Sequence, residues 1–179
     1  MRVVAIVGSI RKDSYNKRIA NFMKDRYKGK LDIEILLLND IPIFNEDIEE
    51  DPPQVVKDFK SKIKESQGVL FVSPEYNHSI PGVLKNALDW CSRVDRVMAN
   101  KVSFIIGASN GNIGTARGQA HLRLVLNSGG VALNNLPGNE ILIRNVQDKF
   151  DGDNLIDETT IKYLDRTVDR FIKWAARFD

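Results

Sequence analysis

The chain has 179 residues, 42% of them hydrophobic, with a formal net charge of +2 and a single cysteine, Cys91. That length supplies one well-buried core and is short for two, so residues 1–179 read as a single domain; the small charge excludes capture of nucleic acid or membrane by bulk electrostatics. A lone cysteine excludes an internal disulfide and any cysteine-built metal site, which points to a reducing, cytoplasmic setting, and no stretch approaches the ~20 apolar residues of a membrane span.

The first strand is expected at Val3 to Val7, with no basic segment or cleavage signal ahead of it. It opens onto Gly8-Ser9-Ile10-Arg11-Lys12-Asp13-Ser14-Tyr15-Asn16. Glycine allows a close turn, Ser9 and Ser14 offer hydroxyls, Asn16 an amide and Arg11 a planar cation, and a helix start adds free N–H groups; together these suit a phosphate. A Walker loop would close on Gly-Lys-Ser/Thr and a dinucleotide fingerprint would carry Gly-x-Gly-x-x-Gly, and the loop has neither. The blander reading is that Ser14 or Asp13 caps the helix and Arg11 is a surface charge. The first helix follows from about Asn16 to Tyr27, with Ile19, Phe22, Met23 and Tyr27 on one face.

A second strand is expected at Ile33 to Leu37, and a second helix opening at Asp51-Pro52 and burying Val55, Val56, Phe59 and Ile63. The third strand, Val69 to Ser73, runs into Pro74-Glu75-Tyr76-Asn77-His78-Ser79-Ile80-Pro81-Gly82. Two prolines stiffen this loop, its backbone groups suit the edge of a planar ring, and Tyr76 suits the face. The alternative is a tight turn in which Asn77 and Ser79 satisfy local backbone. A third helix carries Val83, Leu84, Ala87, Leu88 and Cys91 on its apolar stripe. The fourth strand, Val102 to Ala108, opens onto Ser109-Asn110-Gly111-Asn112-Ile113-Gly114-Thr115-Ala116-Arg117-Gly118, whose backbone N–H groups suit ligand carbonyls and any negative charge they acquire.

A fourth helix bears Leu122, Val125 and Leu126, a short fifth strand is expected at Ile141 to Ile143, and Asp148 to Asn154 reads as a solvated polar turn. The last helix has the clearest stripe: Ile161, Leu164, Val168, Phe171, Ile172 and Ala175. Alternating strands and helices predict an α/β fold, a doubly wound five-stranded parallel sheet with helices on both faces, for which the architecture supplies the order 2-1-3-4-5. The loops after strands one, three and four then share one end of the sheet, where such folds bind ligands.

These residues resemble the NADPH-dependent FMN reductases of the flavodoxin-like superfamily, which include FMN-dependent quinone reductases, azoreductases and chromate-reducing relatives. The likeness is carried by Gly8-Ser9-x-Arg11-x-x-Ser14-x-Asn16, by Ile41-Pro42-Ile43-Phe44-Asn45-Glu46-Asp47, and by Pro74-Glu75-Tyr76-Asn77-x-Ser79-x-Pro81-Gly82-x-Leu84-Lys85-Asn86-Ala87-x-Asp89-Trp90. It implies a flavodoxin-like fold, FMN as cofactor and NADPH or NADH as co-substrate. By the same likeness Ser9, Arg11, Ser14, Tyr15 and Asn16 surround the FMN phosphate, Pro74, Glu75, Tyr76 and Asn77 border the ring and ribityl chain, and Ser109 and Gly111 meet the pyrimidine side. Tyr76, Asn77 and Arg117 shape the substrate space, and no residue is assigned a catalytic role.

The implied activity is transfer of hydride from NAD(P)H through bound FMN to quinones, or to flavins, azo compounds or chromate, in a ping-pong cycle. Two other readings remain: a flavodoxin-type electron carrier, against which the mild positive balance argues since carriers are usually acidic, and an FMN-dependent redox-regulatory binding protein. Relatives form homodimers or homotetramers, and the segment around Phe44 and the helix ending at Trp90 are the expected contacts. Where relatives commonly carry Gly-Gly, this chain has Gly114-Thr115, and the added side chain is expected to narrow the space for nicotinamide or acceptor. His78 and His121 are expected in structural roles, Cys91 as a packing residue and Trp174 as cover for the core.

Overall fold

The computed structural model describes residues 1–138 and 140–178. Strands β1 (Arg2–Val7), β2 (Asp32–Leu36), β3 (Gly68–Val72) and β4 (Val102–Ala108) run parallel in the order β2-β1-β3-β4. Ala5 lies between Ile35 and Leu70, and Leu70 lies between Ala5 and Phe104. The fifth position is filled by two short pieces, β5 (Asn134–Asn135) beside Val102–Ser103 and β6 (Ile141–Ile143) beside Ile106–Ala108. The strand expected at Ile141 to Ile143 is therefore the second half of an interrupted edge, and Pro137-Gly138 lies in the gap, where proline lacks a ladder donor.

Helices α1 (Tyr15–Arg26), α2 (Gln54–Glu65), α3 (Gly82–Ser92), α4 (Ala116–Leu126) and α5 (Glu158–Ala175) cover both faces. Alternation along the strands divides the core. Val3, Ala5 and Val7 join Ile19, Met23, Leu164 and Phe171 under α1 and α5, whereas Val4 and Ile6 join Phe59, Leu84, Leu88 and Leu122 under α2, α3 and α4. Because both faces are dry, the strands read as unbroken apolar runs, and each such side chain removed from water stabilises the fold by roughly 1.5–3 kcal/mol. None of the described helices is long and apolar enough to cross a membrane.

Two boundaries differ from expectation. Helix α2 begins at Gln54, with Pro53 extended as its cap residue (φ −52°, ψ 149°), rather than at Asp51-Pro52; the second proline pushes Pro52 out of the helical region. Val55 then falls at the edge of the stripe, 36% exposed, while Val56, Phe59 and Ile63 are buried. The polar turn at Asp148 to Asn154 contains a small hairpin, β7 (Phe150–Asp151) with β8 (Asn154–Leu155), turning at Gly152 with φ 57°.

Candidate functional site

Strands β1, β3 and β4 are neighbours, so the loops at their carboxyl ends meet. Gly8 extends the ladder by donating its N–H to Val72 at 2.9 Å, and a Cβ there would overlap the side chain of Ser73. That close approach presses the first loop onto the second, which only glycine permits. The loops enclose a cavity of about 240 Å³ lined by Ser9, Arg11, Ser14, Tyr15 and Asn16 from the first, Pro74, Glu75 and Tyr76 from the second, and Ala108, Ser109 and Asn110 from the third, with Val146 closing the wall. Asn77, Gly111 and Arg117 are not in that wall.

Ser14 caps α1, its Oγ accepting from the Lys17 N–H, and Ser9 Oγ accepts from the Arg11 N–H at 3.3 Å. Both serines are buried, at 5% and 4% exposure, and among the described residues neither hydroxyl donates to a protein acceptor. Two buried O–H donors thus remain beside first-turn N–H groups that have no intrahelical acceptor. Arg11 folds back on itself, its Nε donating to the Asp13 carbonyl at 3.1 Å. The ring of Tyr15 has the Arg18 guanidinium 5.2 Å from its centroid and Phe150 at 5.7 Å.

The Asn16 side chain is committed elsewhere. Its amide donates to Ala108 O at 3.0 Å and accepts from Ala108 N–H at 3.1 Å, tying the start of α1 to the end of β4. What Asn16 offers a ligand is its backbone N–H.

In the second loop Tyr76 and Ser79 exchange backbone hydrogen bonds of 3.0 and 2.9 Å around Asn77 (φ 50°) and His78 (φ 62°). This is a type I′ turn, which demands positive φ at both central residues; it leaves both side chains exposed at the tip. The turn is docked on α4. Glu75 Oε2 accepts from the Gly118 N–H at 2.8 Å, where a carboxylate also meets the positive helix end, and Ser79 Oγ lies 2.7 Å from His121 Nδ1.

The third loop is braced by Ser109 N–H to Ile143 O at 3.0 Å and Val146 N–H to Ser109 O at 3.1 Å. Thr115 ends it in the left-handed region, φ 74°, but its side chain points inward: it is 2% exposed, its Oγ1 accepts from Gln119 Nε2 at 3.2 Å, and it fills space left by Gly107. The expected narrowing of the ligand space by Thr115 does not occur, because the methyl and hydroxyl lie beneath β4.

Trp90 is also corrected. It is buried within its own chain, donating from Nε1 to Pro42 O at 2.9 Å and meeting Phe44 edge-on at 5.0 Å, so it does not itself form a surface contact. Trp174 packs on the core, as expected. Cys91 is fully buried and burial pushes its thiol up to about 12, which leaves it unreactive. Sequence reasoning passed over Ala108, Val146 and Phe150: an alanine at a strand end and apolar residues beyond the fifth strand carry no local ligand signal.

Residues 1–148 match the family described as NADPH-dependent FMN reductase. The chain is similar to a 2-hydroxy-1,4-benzoquinone reductase from Burkholderia sp, 38% identical over 97% of this chain and 96% of the relative. It is similar also to a quinone reductase from Escherichia coli (strain K12), 34% identical over 99% and 96%. Among solved structures it resembles FerB, a flavoenzyme NAD(P)H:(acceptor) oxidoreductase from Paracoccus denitrificans, with a TM-score of 0.89 and 34% identity over 99% of this chain and 98% of that one.

Proposed function

The chain belongs to the NADPH-dependent FMN reductase family, whose members are FMN-dependent oxidoreductases, and we propose that it reduces quinones at the expense of NADPH or NADH. The observation that carries this reading is the pair of buried serine hydroxyls with unused O–H donors at the start of α1, beside Arg11 and opposite a slot bordered by Tyr76 and the third loop. FMN held by these loops would supply the hydride chemistry between the nicotinamide and an acceptor that would take the same space in turn.

The chain's own residues bind and orient. Ser9 and Ser14 donate O–H bonds to the phosphate, the N–H groups of Tyr15 and Asn16 add theirs, and Arg11 exchanges the Asp13 carbonyl for a charged partner, a stronger acceptor. Pro74, Glu75, Tyr76 and Asn77 border the ring and ribityl chain. Ser109, whose own N–H is held by Ile143 O, and Gly111 would bring the third-loop backbone to the pyrimidine edge, where its remaining N–H groups would stabilise negative charge. Tyr76, Asn77 and Arg117 shape the acceptor space. No side chain has to act as nucleophile or general base for this chemistry. A second copy of the chain would be accommodated on the loop of Ile43, which is 81% exposed next to the half-buried Phe44 that meets the buried Trp90.

Quinones are the acceptor class favoured by the names of two relatives. The test is anaerobic: the purified protein takes up FMN, NADPH or NADH bleaches it, and a quinone restores the colour. Double-reciprocal plots are parallel under this reading; intersecting plots would rule out shared space, and failure to take up FMN would remove the reading altogether.

A further inference from the structure

On the far side of the turn that closes the cavity lies a second, more open one of about 640 Å³, formed by the end of β6, the turn after it and one face of α5. Arg144, Lys149, Arg166 and Tyr163 line it, with Asp148, Asp157 and Thr159. Its charges are unevenly matched. Asp157 accepts from Lys149 at 2.9 Å and from the Thr160 N–H at 2.9 Å, so that pair is neutral and the start of α5 is already capped. Among the described residues the Asp148 carboxylate receives only the Gln147 amide, at 3.4 Å. Arg166 donates from Nε to Lys162 O at 3.3 Å in its own helix, and Arg144 has no hydrogen-bond or ion-pair partner among the described residues. Two guanidinium groups, neither met by a carboxylate among the described residues, therefore face one trough beside the ring of Tyr163, whose hydroxyl is pinned to Glu140 O at 3.2 Å.

The trough adjoins the site already described. The stem of Arg144 packs against Gly114 of the third loop, where a Cβ would fall 2.7 Å from Arg144 Cγ, and Asn145 N–H reaches Gly111 O at 3.5 Å. The trough thus borders the third loop, next to the space that the reductase reading gives to the nicotinamide. The face of α5 that supplies Tyr163 and Arg166 lies beyond residues 1–148, outside the segment matched to the family. We infer that this trough binds the phosphorylated adenosine end of the nicotinamide donor, Arg144 and Arg166 pairing with the 2′-phosphate and Tyr163 offering a face to the purine, so that this chain favours NADPH over NADH. A phosphate dianion suits paired guanidinium forks, and a tyrosine ring is a flat apolar platform with an anchored tip.

The inference deepens the reductase reading and rests on it only for the identity of the donor. It is tested by titrating the FMN-loaded protein with 2′,5′-ADP and with 5′-AMP in a calorimeter, and by repeating both with Arg144→Gln and Arg166→Gln. The expected result is tighter binding of 2′,5′-ADP, weakened about tenfold by either substitution, as loss of one charged hydrogen bond implies, with 5′-AMP binding little changed. The ratio of kcat/KM for NADPH to that for NADH falls by a similar factor. Equal affinity for the two nucleotides, or a ratio untouched by both substitutions, would overturn the inference while leaving FMN reduction intact. Conversely, a protein that takes up no FMN yet binds 2′,5′-ADP through Arg144 would refute the reductase reading and keep the phosphate site.

Discussion

A methyl group on Gly107 would stand inside the hydroxyl of Thr115, so these two positions, one in β4 and one at the start of α4, share a single volume. Thr115 is β-branched and holds φ at 74°, a conformation that costs such a residue about 1–2 kcal/mol. It is retained with its side chain buried and bonded to Gln119, so the strain is offset by packing rather than relieved. Gly107→Ala should therefore destabilise the protein by about 3 kcal/mol, measured by urea unfolding, and the loss should shrink sharply in a Thr115→Gly background. Additive losses in the double variant would mean that the two sites do not share space. Neither effect is visible in the sequence, where Thr115 follows Gly114 without revealing which way it points. Asn16 carries the same lesson: its amide suits a phosphate in the loop sequence, yet the fold spends it on Ala108, 92 residues away.

At the scale of elements, the type I′ turn at Tyr76–Ser79 is too short to hold itself in place and depends on α4. Glu75→Ala removes the acceptor for Gly118 and should weaken FMN binding about tenfold, the loss of one charged hydrogen bond, as read by fluorescence titration of the stripped protein. Unchanged affinity would show that the turn is held without α4. Helix α5 is secured at its start by Asp157, whose carboxyl is held down at about 2 by Lys149 and then Thr160. An unfolded chain protonates it near the ordinary value of about 3.9, so the native state prefers the ionised form. Its contribution is complete above about pH 4 and disappears as pH falls towards about 2, a matter of ~1–2 kcal/mol. Asp157→Asn should lower the melting temperature at neutral pH, with the difference from the parent closing through that acid window; a constant difference would assign the effect to capping alone.

Taken whole, the molecule gathers three loops from β1, β3 and β4 into one cavity, so a ligand that fills it braces the sheet at its centre. FMN at about a hundred times its Kd should raise the melting temperature by roughly 5–10 °C, while riboflavin, which lacks the phosphate, should give a smaller rise. Equal shifts would mean that Ser9, Arg11 and Ser14 make no phosphate contact. The order of strands and helices, the two-sided core and the three loops at one sheet end were all legible in the sequence, because apolar periodicity and glycine-proline punctuation report burial and turning locally. The interrupted fifth strand, the late start of α2, the inward Thr115, the buried Trp90 and the role of Val146 in the cavity wall were decided only in three dimensions. Each depends on which distant surface a residue meets, and a one-dimensional pattern encodes how much a side chain avoids water but not the partner against which it does so.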